Sequence, residues 1–184
     1  MIPKPFPDGD RGYLQPPLYL DRPGYLHYLY QNEKGQSLFC VYRFPVGSGK
    51  KMFQCSYANG KYHKKNYWSS IEDFKLPLLR LPELIKTELP ILITEGEGKC
   101  DKAQQLLPDY FTACYSMGGS SFGKTDFSVL KGRDVILWPD ADKNLNGTDS
   151  FESLSLVLKE EYGIEAKTVP TPTYQEIQSY FKGK

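Results

Sequence analysis

After Pro90 the chain alternates short apolar runs with amphipathic stretches, and this pattern constrains the fold more than any other feature. "ILIT" (91–94) is a short apolar run with β-branched residues. "KCDKAQQLL" follows and sets Cys100, Ala103, Leu106 and Leu107 on one helical face. "YFTACYS" and "DVILW" (134–138) read as a second and a third strand. In "SFESLSLVLKEEY" the spacing turns Phe151, Leu154, Val157 and Leu158 inward. Asp149 and Glu152 look like a capping box that opens this helix, and Gly163 stops it. "EAKTVP" is a fourth strand and "YQEIQSYF" a last short helix. Apolar strands separated by amphipathic helices belong to a parallel sheet covered on both faces. Residues 91–184 are therefore expected to be an α/β domain, a Rossmann-like parallel sheet with flanking helices.

Before Pro90 the texture differs. Residues 1–24 are rich in Pro and Gly and read as an extended arm. Residues 25–70 read as a small antiparallel β subdomain. "YLHYLYQNEKGQSLFCVYRF" forms a hairpin around Gly35, "PVGSGKK" a turn, "MFQCSY" a third strand, and Asn59-Gly60 another turn. Residues 71–90 are a connector with a short helix from about Leu81 to Thr87, where Pro82 is tolerated in the first turn.

The chain has 184 residues, 40% of them hydrophobic, which is room for one domain or a domain with a small subdomain. A formal net charge of +1 gives no global attraction to nucleic acid, so any basic surface is local. The cysteines Cys40, Cys55, Cys100 and Cys114 form no CxxC pair, which excludes a zinc ribbon and suits buried thiols in a reducing compartment. With no charged-then-apolar leader and no apolar run of about 18 residues, a soluble, cytoplasmic protein away from membranes is expected.

Two motifs carry candidate chemistry. "GGSSFGKT" (118–125) fits the P-loop pattern by letter. A phosphate cradle needs a helix directly behind it, because backbone N–H groups at the helix start hold the phosphates. "DFSVLKGRD" is too short for one, so a Gly-rich turn at Gly118-Gly119 is the expectation. The second motif is acidic. "ILIT" runs straight into Glu95 and Gly96, and "VILW" into Asp140 and Asp142. Ligands bind at the carboxyl ends of strands in open α/β sheets. Three converging carboxylates repel one another unless a cation neutralises them. Oxygen-only ligands suit Mg2+ or Mn2+. Gly96 beside Glu95 permits a close approach of backbone or substrate.

"ILITEGEGKCDKA" resembles the first motif of the Toprim domain of phage and plasmid primase–helicase proteins, and "LKGRDVILWPDAD" resembles its second. The resemblance covers about residues 25–170 and implies a Toprim-like α/β fold behind an antiparallel subdomain. It implies a primase-type nucleotidyl transfer that makes primers on single-stranded DNA in the replication of a phage, plasmid or other mobile element. Glu95 would serve acid–base chemistry near the metal, Asp140 and Asp142 would be the metal-binding pair, and Lys99 would face a phosphate. Arg43, Lys50, Lys51, Lys64 and Lys65 would hold template or nucleotide. The implied partners are single-stranded DNA, nucleoside triphosphates and a replicative helicase. Interleaved Tyr57, Tyr62, Tyr67 and Trp68 are candidates to stack bases or to cover a thin sheet core.

The chain departs from the family pattern where Gly98 lengthens the glutamate motif and where no third acidic motif follows "AKTVPTP". It also carries neither a zinc ribbon nor a helicase module. Whether it acts alone or as part of a longer chain stays open. A non-catalytic single-stranded nucleic-acid-binding module and a Toprim nuclease stand as alternative readings.

Overall fold

The structure is a computed structural model that describes residues 2–7, 26–46, 49–140 and 146–170. The chain divides into two compact units, Met1–Ile85 and Lys86–Lys184.

The first unit is an antiparallel sheet of β1 (Pro3–Lys4), β2 (Leu26–Gln31), β3 (Ser37–Val46), β4 (Gly49–Ala58) and β5 (Lys61–His63). Its order is β1-β4-β3-β2, with β5 also on β4. β3 is buried on both faces from Leu38 to Tyr42 because it is central and aromatic. Tyr30 stacks on its partner Phe39 at 4.5 Å on one face. Phe6, Cys40, Tyr42 and Cys55 form a core on the other. Where the pairing of β3 with β4 stops at Phe39 and Ser56, β1 takes over beside Tyr57 and Ala58. Asn59 and Gly60, both at positive φ, make the tight β4–β5 turn. The expected turn at "PVGSGKK" is shorter than the sequence suggests. Val46 pairs with Gly49, so Lys50 and Lys51 are strand residues. A helix α1 (Leu81–Leu84) closes the unit and ends three residues before the expected Thr87. Most of the arm, residues 8–25, lies outside the described residues.

The second unit is a parallel sheet of β6 (Ile91–Thr94), β7 (Phe111–Ala113), β8 (Val135–Trp138) and β9 (Lys167–Thr168), in the order β7-β6-β8-β9. β6 is wholly buried, as an apolar central strand must be. Helix α2 (Glu97–Leu106) links β6 to β7, and α3 (Asn146–Tyr162) links β8 to β9. These crossovers run in opposite directions along the sheet. Right-handed connections then send the two helices to opposite faces.

Two helical expectations change. α2 buries Glu97, Cys100 and Ala103, whereas Leu106 is 68% exposed at its last turn. α3 begins at Asn146, so Asp149 lies in the first turn, where its charge favours the helix dipole, rather than at the cap. Gly163, at φ +68°, ends α3 with Ile164 N–H donating to Leu158 O at 2.9 Å. The last expected helix, within 171–184, lies outside the described residues. All four cysteines are buried thiols and none is in a disulfide. No helix among the described residues is long and apolar enough to cross a membrane.

Candidate functional site

Strand order fixes where a ligand can sit in the second unit. From β6 the chain goes to β7 on one side, then passes over β6 to β8 on the other. The carboxyl ends of β6 and β8 are thus the topological switch point, where adjacent loops part and leave a crevice. Thr94 pairs with Trp138 at the ends of these strands. Neighbouring strands lie about 4.8 Å apart, so the segments carrying Glu95 and Asp140 leave the sheet side by side.

Glu95 is half-buried, and Gly96 behind it is the N-cap of α2 at φ +79°, ψ 157°. Its Oε1 accepts a hydrogen bond from Gly119 N at 2.9 Å. Glu97, two residues on, is buried in the first turn of α2 and accepts from Met117 N at 3.3 Å. Two carboxylates of one short stretch therefore hold the Met117–Gly119 turn. All three turn residues have positive φ, and a Cβ on Gly118 would lie in ordinary contact with Glu95 Cγ, at 3.5 Å. Tyr115, fully buried beneath, donates its hydroxyl to Gly119 O at 3.0 Å. Burial pushes the Tyr115 phenol well above its usual range, and the nearby charges of Glu95 and Cys114 push it the same way. It stays a proton donor.

Asp140 is half-buried beyond β8 and forms an ion pair with Lys99 of α2. Asp142 lies outside the described residues. Among the described residues no group of three or more His, Cys, Asp or Glu side chains gathers as a metal cluster. Glu95 and Asp140 supply oxygen donors only, a set that fits a hard cation keeping several of its waters.

The basic residues Arg43, Lys50, Lys51, Lys64 and Lys65 all belong to the first unit. The register separates them. Lys51 pairs with Phe44 and shares its face, whereas Arg43 pairs with Met52 on the other. Lys64 Nζ lies 4.9 Å from the Phe53 ring and Lys65 Nζ 5.2 Å from the Tyr67 ring. The side chain of Lys50 lies outside the description. Tyr57 packs edge-on against Tyr62 at 5.1 Å, Tyr67 against His63 at 5.1 Å, and Trp68 tilts on Phe74 at 4.9 Å. These rings cover the sheet by contacting one another.

The P-loop letters do not make a cradle. Gly119–Lys124 is a 3-10 helix, and Thr125 returns to extended backbone at φ −94°, ψ 141°. The next element is another 3-10 turn, Ser128–Leu130, so no helix start backs the loop. Glu97 and Tyr115 escaped the sequence reading. The period-2 repeat in "EGEG" is the signal that marks Glu97 as a second acid beside Glu95.

No family model and no curated protein matches the chain. Among solved structures it is similar to the primase fragment of the bacteriophage T7 primase-helicase protein, at 17% identity and a TM-score of 0.54, over 86% of this chain and 59% of that one. The chain thus spans less than two thirds of that fragment's length. A chain of the bacteriophage T7 lagging-strand DNA polymerase structure, solved interacting with primase domains bound to an RNA/DNA hybrid and dTTP, matches at 17% identity and a TM-score of 0.53. That match covers 86% of this chain and 71% of the other. The mixed architecture of antiparallel and parallel sheets is therefore a phage primase-type fold.

Proposed function

We propose that this chain is a primase-type nucleotidyltransferase that needs a divalent metal ion, with a Toprim-type centre in the second unit. The observation that carries the reading is that Glu95 and Asp140 leave adjacent parallel strands at the switch point of the sheet. Glu95, Asp140 and Asp142 would hold Mg2+ or Mn2+, which on binding neutralises charge growing on the phosphoryl oxygens. Glu95 Oε1 accepts from the Gly119 amide, so Oε2 is the oxygen assigned to the cation. The Met117–Gly119 turn fixes the Glu95 carboxylate in place before substrate arrives, which is preorganisation of the kind that lowers a barrier. Lys99 orients a phosphate beside Asp140. Single-stranded DNA is the template, nucleoside triphosphates are the substrates, and a replicative helicase is the partner. Arg43, Lys50, Lys51, Lys64 and Lys65 are assigned to template or nucleotide.

The test is primer synthesis on single-stranded DNA with Mg2+ or Mn2+ and nucleoside triphosphates. Wild type is expected to make product and Asp140→Ala to lose about 100-fold or more, the scale of a lost electrostatic group in a catalytic centre. Equal product from both, or none from either, overturns the assignment. Nicking of supercoiled plasmid in its place points to a nuclease.

A further inference from the structure

Beside Asp140 a cleft of ≈ 260 Å³ opens between α2 and the end of β8. Thr94, Lys99, Lys102, Leu106, Trp138 and Asp140 itself are among the residues that line it. Three features of this cleft are hard to explain as packing alone. Trp138 and Leu106 are 38% and 68% exposed, although both are large and apolar. Thr94 is only 3% exposed, yet its Oγ1 has no hydrogen-bond partner among the described residues. A buried hydroxyl left unpaired is unfavourable, which is why most such groups find a partner. Finally, Lys99 and Lys102 stand three positions apart on α2 and both line the opening, Lys99 in an ion pair with Asp140 and Lys102 exposed beside it.

A flat aromatic wall, a polar atom waiting at the base and two ammonium groups at the rim call for a planar heteroaromatic that carries phosphate. The volume decides how much of one. Small-molecule sites run from about 300 Å³ upward, so this cleft takes one ring system with its attached group and not a stacked pair. We propose that the α2/β8 cleft binds a single nucleotide unit, its base stacked on Trp138 and hydrogen-bonded to Thr94 Oγ1, its phosphate at Lys99 and Lys102. The proposal rests on the reading of this unit as a nucleotidyl-transfer centre and gives that centre a base subsite. The unit can come from a free nucleotide or from a DNA strand, and both are tested.

The experiment measures binding to the full chain in EDTA, by equilibrium dialysis of ATP and, in a separate arm, of a short single-stranded oligonucleotide. Trp138→Ala is expected to weaken binding by about tenfold or more, the scale of one lost base–aromatic stack, and Trp138→Phe to stay within about threefold of wild type. Thr94→Val keeps the side-chain shape and deletes the orphaned hydroxyl. It is expected to raise the melting temperature while weakening binding about fivefold, a combination that a merely structural threonine does not give. Dependence on Trp138 in either arm supports the proposal and identifies the source of the nucleotide. Binding in both arms that ignores Trp138→Ala, or a Thr94→Val protein that gains stability with unchanged affinity, overturns it. Primer synthesis is scored separately. A wild type that makes primers but binds nucleotide independently of Trp138 sinks only this proposal. Trp138-dependent binding by a protein that makes no primer sinks only the catalytic reading.

Discussion

Gly118→Ala puts a Cβ on backbone at φ +62°, ψ −166°, a region that is essentially reserved for glycine. The added atom meets no forbidden contact, since Glu95 Cγ would be 3.5 Å away and the backbone of Gly96 3.8 Å. The cost is therefore backbone strain, about 1–3 kcal/mol. For a unit of roughly 100 residues each kcal/mol lowers the melting temperature by about 4–8 °C, so a fall of about 5–20 °C is expected for the second unit. Relieving the strain means rotating the peptide that carries the Gly119 N–H, and the 2.9 Å bond to Glu95 then lengthens or breaks. Differential scanning calorimetry reads the first effect, and the chemical shift and hydrogen-exchange protection of the Gly119 amide read the second. Gly123→Ala is the control. Gly123 has no positive φ, and nothing lies within 4 Å of its would-be Cβ, so a change within about 0.5 kcal/mol is expected. If Gly118→Ala melts like Gly123→Ala and keeps the Gly119 amide shift, the turn does not hold Glu95 and the preorganisation argument fails.

Glu97→Ala removes the acceptor of Met117 N–H from a buried position and should cost about 1–3 kcal/mol in urea unfolding, while Glu97→Gln, which keeps an acceptor, should cost clearly less. Burial pushes the Cys55 thiol up from 9.0 to about 11, against a smaller opposing pull from a backbone hydrogen bond with His63. The native thiol keeps its proton where the unfolded one has lost it, so this contribution is complete below pH 9 and is lost as pH rises to about 11. The loss is on the order of 2–3 kcal/mol and should disappear in Cys55→Val measured over the same pH range; parallel curves for the two proteins would refute it. Lys124→Ala should leave ATP affinity within about twofold, because no helix start backs its loop; a loss beyond tenfold would restore the phosphate cradle.

The strands of the second unit are legible because "ILI" and "VILW" are apolar runs, which suits β6, buried throughout, and β8, which buries Val135 and Leu137 and exposes Trp138 at its end. That β6 and β8 are neighbours is not legible. It depends on pairing across the whole intervening segment, which no local pattern encodes. The acids after each strand can be found from sequence, but not their adjacency. Leu106 follows the helical spacing yet lies at the last turn of α2 and lines a cleft rather than a core. Asp149 mimics a cap because acids suit a first turn as well as the position before it. Lys50 and Lys51 read as turn residues because Gly and Lys are poor strand formers, but ladder pairing with Pro45 and Phe44 overrides that preference. Glu97 was hidden by its neighbour. Its role appears only when Met117 arrives from a segment 20 residues away.

A Mn2+ soak of crystals of the full chain, read by anomalous scattering, tests directly whether Glu95 and Asp140 share one divalent ion. One peak is expected at the carboxyl ends of β6 and β8, about 2.1 Å from an oxygen of Glu95 and from an oxygen of Asp140, lost in Asp140→Ala. A peak elsewhere, or none at saturating Mn2+, would contradict that shared site.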